Sequence, residues 1–184
     1  MRGKPLFTAV AVAVAGLAGT ASAATAPTTT AAEKGGTVHL IDYTDNDGAT
    51  TTAVLSGAVG DLGTGISVGP DGTISPDHTQ LNLVLSQGSF RVDVADIDQK
   101  FISALSTTPF QPGNNSCSGH VSVTGWAGIV AGSGTGAYRG IGGGFHLTIT
   151  AEEVDTPNNG QCDASGAMLG QAIITQGTGT VAFS

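Results

Sequence analysis

The stretch that decides the fold is GSGTGAYRGIGGGFHLTIT, residues 132–150. In its first part, residues 132–144, seven glycines surround one Tyr and one Arg. From Phe145 to Thr150 apolar and polar side chains then alternate, which is the period of a β-strand with one buried face. Glycines in front of such a strand supply the positive φ, the bulge or the sharp bend by which a sheet curls. The stretch therefore predicts a tight turn that leads into a strand of a curved sheet.

The glycines could instead cradle a phosphate group, which requires a strand that runs into the N-terminus of a helix, with glycines at fixed offsets. Gly134 and Gly136 begin such a pattern, but position 139 is Arg. No Lys followed by Ser or Thr comes next, and the following segment alternates as a strand. The sequence therefore disfavours a nucleotide site here.

Alternation of period two extends over most of the chain. Two hairpins are predicted, the first from residues 37–43 and 51–59 around the Asp45–Gly48 turn, the second from residues 81–85 and 90–94 around Gln87-Gly88. Further strands are predicted at residues 66–68, 120–124 and 145–152, and one or two closing strands at 172–175 and 180–183. The turn at Asp45–Gly48 resembles part of a calcium loop, but the downstream Glu that such a loop needs is absent at its spacing.

The period changes at Asp96, which is a plausible helix N-cap. Helical spacing follows, and prolines lie beyond its end, so one short helix with an apolar stripe against the sheet is predicted; the stripe consists of Ile97, Phe101, Ala104 and Leu105. With no β-α-β spacing, the pattern predicts an all-β fold, an antiparallel β-barrel of about eight strands and one short helix. Closure removes the exposed edges of the sheet.

The first residues predict export. Arg2 and Lys4 precede an apolar run, and small residues end it at Ala21-Ser22-Ala23, which is typical of a signal peptide over residues 1–23. Residues 24–36 have no apolar periodicity and are predicted to be a flexible segment, followed by a single barrel domain over residues 37–184. We therefore expect a secreted, extracellular protein with no membrane attachment after cleavage.

The net charge and the number of cysteines exclude further classes of partner and predict a disulfide. Without the signal peptide, four Lys and Arg remain against fourteen Asp and Glu, which excludes a nucleic-acid partner, since phosphate binding needs clustered cations. Cys117 and Cys162 are an even count in an exported chain and predict one intramolecular disulfide. No close spacing of ligand residues indicates a metal, and no cofactor is predicted.

The glycine stretch with its strand, GTGAYRGIGGGFHLTIT, resembles the G-T-G-x-[YF]-x-G-x-x-G pattern of the dirigent-like and allene-oxide-cyclase-like barrels. The segments CSGHVSVTG and GQC extend the resemblance to small exported bacterial proteins of that type. The resemblance implies an eight-stranded antiparallel barrel with a cavity, assembled as a homotrimer. The residues that match the family pattern are ones that we interpret as structural, and the resemblance identifies no catalytic residue in this sequence.

Five residues are candidates for ligand binding. Tyr138 and Arg139 straddle the glycine turn, so one of them would lie near an open barrel mouth. Trp126 could line a cavity, as could the aromatic rings of Tyr43 and Phe145, although core packing is the usual role of such rings. His120 and His146 share the polar face of strands expected to pair.

The carboxylates near residue 152 give no such site. Glu152 and Glu153 point to opposite faces of a strand, so with Asp155 they are interpreted as solvated charge. The favoured hypothesis is a secreted, non-catalytic barrel that holds a small apolar ligand. An isomerase or cyclase acting in the same cavity is the first alternative, and a structural or host-facing protein without a ligand is the second.

Overall fold

A computed structural model describes residues 35–45, 49–75, 79–162 and 166–184. The predicted signal peptide lies outside the described residues, as do most of the predicted flexible segment and residues 46–48 of the Asp45–Gly48 turn, with its calcium-loop alternative. The described part contains nine strands and one α-helix: β1 Gly36–Thr44, β2 Thr50–Gly57, β3 Asp61–Val68, β4 Gln80–Leu85, β5 Gly88–Asp93, α1 Ala95–Thr107, β6 Gln111–Pro112, β7 Cys117–Ile129, β8 Ile141–Asp155 and β9 Met168–Phe183.

The strands form one closed antiparallel barrel, as predicted. The sheet order is β5-β4-β3-β2-β1-β9-β8-β7, and the two-residue β6 is attached to β7. Direct pairing between β5 and β7 closes the barrel, but it covers only Val92 with Ile129 and Asp93 with Gly128. Helix α1 follows β5 and packs mainly against β7.

The two halves of the barrel interior differ in character. Around the start of β1 and the end of β9, the inward side chains form a tight apolar core with Leu40, Phe90, Phe145 and Leu147 fully buried. Towards the end of β1 and the start of β9, inward positions carry buried polar side chains instead, among them Asp42, Thr44 and Thr175. A candidate site is therefore to be sought in this second half.

The predicted disulfide is confirmed. Cys117 at the start of β7 is bonded to Cys162 in the connection between β8 and β9, with their Cα atoms 5.4 Å apart. Asp155, the last residue of β8, lies opposite Cys117 in the register. The bond therefore fixes three strand ends at the polar half of the barrel.

Strands β3, β7, β8 and β9 are longer than predicted, and for β3 and β9 the reason is the same. β3 was predicted only at residues 66–68, because its inward positions are Gly63, Gly65 and Ser67 and show no apolar alternation. A side chain at Gly63 would overlap the Val84 carbonyl of β4. β9 is one continuous strand, since the glycines that interrupt its pattern face inward, where Gly177 lies against the His146 carbonyl.

The predicted helix is present, but its predicted cap is wrong. The N-cap is Val94, and the Asp93 carboxylate accepts a hydrogen bond from the Ala95 amide at 3.0 Å. Asp96 lies in the first turn and pairs with Lys100 at 2.8 Å. Only Ile97 of the helix is fully buried, so the apolar stripe packs on the sheet at its first turn and not along its length.

Candidate functional site

The glycine-rich segment completes the wall of the barrel. Beyond the short β5–β7 pairing, its backbone continues along β5, where the Thr135 amide donates to the Ser89 carbonyl at 2.8 Å and the Ala137 amide donates to the Gln87 carbonyl at 2.9 Å. Gly136 has a φ of +58° and lies against the Gln87 carbonyl, where a side chain would overlap. The glycines therefore bend the chain and allow close backbone contact, as predicted.

Tyr138 anchors this segment in the core. Its side chain is 1% exposed, its ring centroid lies 5.1 Å from that of Phe90, and its hydroxyl donates to Asp61 Oδ2 at 2.6 Å. Burial raises the pKa of Asp61, but hydrogen bonds from Ser86, Tyr138 and two backbone amides outweigh that effect and lower it. Arg139, the next residue, is exposed.

The other three candidates are exposed on the outside of the barrel. Trp126 on β7 is 51% exposed and stacks edge-on with His146, its register partner on β8, with ring centroids 4.9 Å apart. His120 pairs across the same two strands with Glu152, with Nδ1 and Oε1 separated by 2.7 Å. Tyr43 is also exposed, and Phe145 belongs to the core. The five predicted ligand-binding residues therefore do not converge on one site.

A cavity lies instead between α1 and the inner face of β7, β8 and β9. Its volume is about 230 Å³. At the start of the helix, Ile97 packs closely on β7 at Gly125, where a Cβ would lie 3.1 Å from the Cβ of Ile97. Further along, Gly119 faces the ring of Phe110, and both residues line the cavity, which is partly open to solvent. Its walls are mostly apolar, formed by Phe101, Ile102, Leu105, Phe110, Val121, Ala151 and Ile173.

Few polar groups line the same cavity. Glu153 on β8 and Gln171 on β9 are register partners, and the Gln171 amide donates to Glu153 Oε2 at 3.3 Å. Asp98 of the helix also lines it, and His120 contributes to its rim. Of the five predicted residues, His120 alone therefore borders the cavity.

The carboxylate of Asp155 lies beside that of Glu153. Asp155 is 2% exposed, and its Oδ1 atom has no hydrogen-bond partner among the described residues. Burial, followed by the charge of Asp155, raises the pKa of Glu153, and the Gln171 amide offsets part of this effect. The half-buried carboxylate of Glu153 on the cavity wall therefore lies beside the buried carboxylate of Asp155, which is not itself part of the lining.

A second buried carboxylate lies deeper in the barrel. Asp42 on β1 pairs in register with Thr175 and accepts a hydrogen bond from the Thr51 hydroxyl. Burial raises the pKa of Asp42 to about 6, and the bond from Thr51 offsets part of this rise. Gly65 makes room for this pair, since a Cβ there would overlap the Thr51 hydroxyl and crowd Asp42. Asp42 does not line the cavity under α1, which ends nearer to Ile173.

Sequence reasoning missed the Glu153–Asp155 pair although a signal was present. It compared Glu152 with Glu153, which do lie on opposite faces, Glu152 outside with His120 and Glu153 inside. The informative spacing was that of Glu153 and Asp155, because residues two apart share a face of a strand. Their apolar predecessors Leu147, Ile149 and Ala151 already marked that face as the inner one.

Among the described residues, no group of three or more His, Cys, Asp or Glu side chains is arranged to hold a metal ion. Within the same ranges no helix is long and apolar enough to cross a membrane. No protein-family model, no curated protein and no solved structure matches this chain. The relation to the dirigent-like and allene-oxide-cyclase-like barrels therefore stays a prediction that rests on the glycine stretch.

Proposed function

We propose that this protein is an exported binding barrel that holds one small, mainly apolar molecule in the cavity between α1 and the β7–β8–β9 wall. The observation that carries the proposal is the cavity itself: about 230 Å³, with apolar walls and a few polar groups on one side. Small-molecule sites combine these two features. An apolar cavity of about 150 Å³ is large enough for benzene, so this one fits a molecule with one aromatic ring and a short chain.

Export is part of the proposal. The Cys117–Cys162 disulfide supports it, because such bonds persist in oxidising compartments. The amino-terminal sequence, with its basic residues, short apolar run and small-residue end, supports it independently. A ligand would then be taken up outside the cytoplasm.

The test is binding of small aromatic probes to a variant whose cavity is filled. Ala151 lies on the cavity wall, so Ala151→Leu adds three carbon atoms to the space a ligand would use. Ala172→Leu makes the same exchange on the neighbouring strand, where Ala172 pairs with the outward-facing Glu152. In calorimetric titration with 2-phenylethylamine and 2-phenylethanol, we expect the wild type and Ala172→Leu to bind and Ala151→Leu to bind at least about tenfold more weakly, the equivalent of about 1.4 kcal/mol.

Two results would overturn the binding proposal. Equal affinity of both leucine variants would place the probes elsewhere on the surface. Absence of binding to the wild type, together with no trapped small molecule in native mass spectrometry of protein purified from its own host, would favour a structural or host-facing protein without a ligand.

An isomerase or cyclase is the second candidate, and Glu153 is the observation in its favour. It is a carboxyl group on the cavity wall whose pKa is raised by burial and by Asp155. Such a group holds a proton more readily than an ordinary carboxyl group, and uptake and return of a proton is the task of a general acid–base residue. Conversion of a bound small molecule by the wild type, abolished in Glu153→Gln with binding retained, would favour this candidate.

A homotrimer also belongs to the proposal. Ile41, Val54 and Leu62 are exposed and lie in direct register across β1, β2 and β3 on the outside of the barrel. A contiguous apolar row of this kind is typical of a protein contact surface. Native mass spectrometry reports the subunit number directly, and a monomer at micromolar concentration would exclude the trimer.

A further inference from the structure

We propose that the ligand of this cavity carries a positively charged amino group, which is bound by the carboxylates at the Glu153 side while an apolar ring occupies the rest. This inference rests on the proposed binding function. It names the chemical class of the ligand: a small aromatic or alicyclic amine.

The charged side chains around the cavity are the first observation in favour of a cationic ligand. Asp98 and Glu153 line it, and Asp155 lies directly beside Glu153. No Lys or Arg is among the described residues of the lining. The nearest basic side chain of the helix, Lys100, is paired with Asp96 at 2.8 Å. His120 at the rim is paired with Glu152 at 2.7 Å. A ligand that enters therefore meets negative charge and no Lys or Arg of the lining.

The hydrogen bonds carry the second step. Glu153 receives one long bond, 3.3 Å, from the Gln171 amide, and its carboxyl group also interacts with that of Asp155. The Oδ1 atom of the buried Asp155 has no donor in the described part of the chain. A buried carboxylate oxygen without a donor is unfavourable, and a cation that donates a hydrogen bond to it relieves this cost. An ammonium group brings three donors and one positive charge.

The walls decide between an organic cation and a bare ion. Phe101 and Phe110 lie on the cavity wall with Val121 and Ile173. Such walls offer a metal ion no ligand, whereas they remove an aromatic ring from water and can stack on it. A molecule with a charged head and an apolar body fits both parts of the cavity.

The experiment compares three probes of equal shape that differ in the head group: 2-phenylethylamine, 2-phenylethanol and phenylacetate. Titration calorimetry near neutral pH on the unaltered protein is expected to give affinities in the order amine, alcohol, acid. The amine should bind about tenfold or more tightly than the alcohol, since a charge-assisted hydrogen bond is about twice as strong as a neutral one. The acid should show no measurable binding, because it adds a further negative charge beside the acidic side chains.

Two variants on neighbouring residues assign the effect. Glu153→Gln keeps the shape of the side chain and removes its charge, so the amine should lose about tenfold in affinity while the alcohol is unchanged. Glu152→Gln makes the same exchange on the outer face, where Glu152 pairs with His120, and should leave both affinities unaltered. The comparison of head groups on the wild type holds even if one variant does not fold.

The outcomes separate this inference from the function on which it rests. Equal binding of amine and alcohol to the wild type would overturn the amine preference and leave the binding barrel intact. A preference for the amine that persists in Glu153→Gln and disappears in Glu152→Gln would place the cation on the outer face and also overturn it. Absence of binding for all three probes would count against the binding proposal itself.

Discussion

The hydroxyl of Tyr138 donates a hydrogen bond to Asp61 Oδ2 at 2.6 Å, and this bond joins the glycine-rich segment to the start of β3. The same Asp61 carboxylate accepts hydrogen bonds from the backbone amides of Leu62, Ser86 and Gln87. One carboxylate thus connects three parts of the chain at the apolar end of the barrel. The glycine-rich segment, which in the sequence looked most like a ligand-binding loop, therefore has a structural role in closing the barrel wall.

Loss of this hydrogen bond should destabilise the barrel. Tyr138→Phe keeps the buried ring and removes the donor, so we expect the free energy of unfolding to fall by about 1.5–3 kcal/mol, the usual range for a bond to a charged group. Tyr43→Phe removes a hydroxyl from an exposed ring and should change stability by less than about 0.5 kcal/mol. Urea denaturation of both variants measures the difference. Equal midpoints would mean that the Asp61 contact does not hold the segment.

Two glycines of the segment should respond very differently to a methyl group. At Gly134 a Cβ would overlap the Tyr138 carbonyl, whereas at Gly142 nothing lies within 4 Å. Neither residue has a positive φ that would add strain. Gly134→Ala should therefore cost about 2 kcal/mol or more, and Gly142→Ala should be close to neutral, as chemical denaturation will report. A neutral Gly134→Ala would show that the turn can shift without loss.

Asp42 should make the barrel less stable as the pH rises. Its pKa is raised from 3.8 to about 6, so the folded state binds more protons than the unfolded state between these values. Stability is therefore highest below about pH 4 with respect to this group and falls through the window to about pH 6, by a total on the order of 3 kcal/mol. Above that window the cost is constant. Asp42→Asn should flatten this slope and raise stability at neutral pH.

The control for Asp42 is its neighbour Asp45, which is exposed. Asp45→Asn should retain the full slope of the wild type. Melting temperatures of the three proteins between about pH 4 and pH 7 give the comparison. If Asp42→Asn follows the wild type over that range, another group is responsible for the pH dependence.

The disulfide should contribute substantially to stability. It closes a separation of 45 residues, which corresponds to about 4 kcal/mol in the loop-entropy description, with 2–4 kcal/mol typical of measured cases. The double variant Cys117→Ala/Cys162→Ala should have a free energy of unfolding that is lower by about 2–4 kcal/mol. Wild-type protein in reducing buffer should unfold at nearly the same urea concentration as the double variant. Unchanged midpoints in both experiments would show that the strand ends at this side of the barrel are fixed without it.

The strand pattern was readable from the sequence wherever large apolar side chains point inward. The apolar alternation at Leu81, Leu83 and Leu85 predicted β4. The alternation at Phe145, Leu147 and Ile149 predicted β8, because burial of every second residue is visible in the local sequence. β3 was mostly missed, because its inward residues Gly63, Gly65 and Ser67 are small and leave no apolar alternation. A side chain at Gly63 would overlap the Val84 carbonyl, and one at Gly65 would overlap the Thr51 hydroxyl. The helix cap was misplaced because Asp93 and Asp96 are equally good cap residues locally.

The sequence by itself determined the antiparallel barrel, its glycine-rich closure and the Cys117–Cys162 bond, since each depends on a local pattern or on a simple count. Only the tertiary structure decided that α1 rises from the sheet after Ile97 and encloses a cavity, and that Glu153, Asp155 and Gln171 meet beside it. The physical reason is that a cavity is a property of the distance between elements. One contact that sets this distance joins Gly125 to Ile97, 28 residues earlier in the chain. The other joins Gly119 to Phe110, and neither residue type indicates by itself how far the helix stands from the sheet.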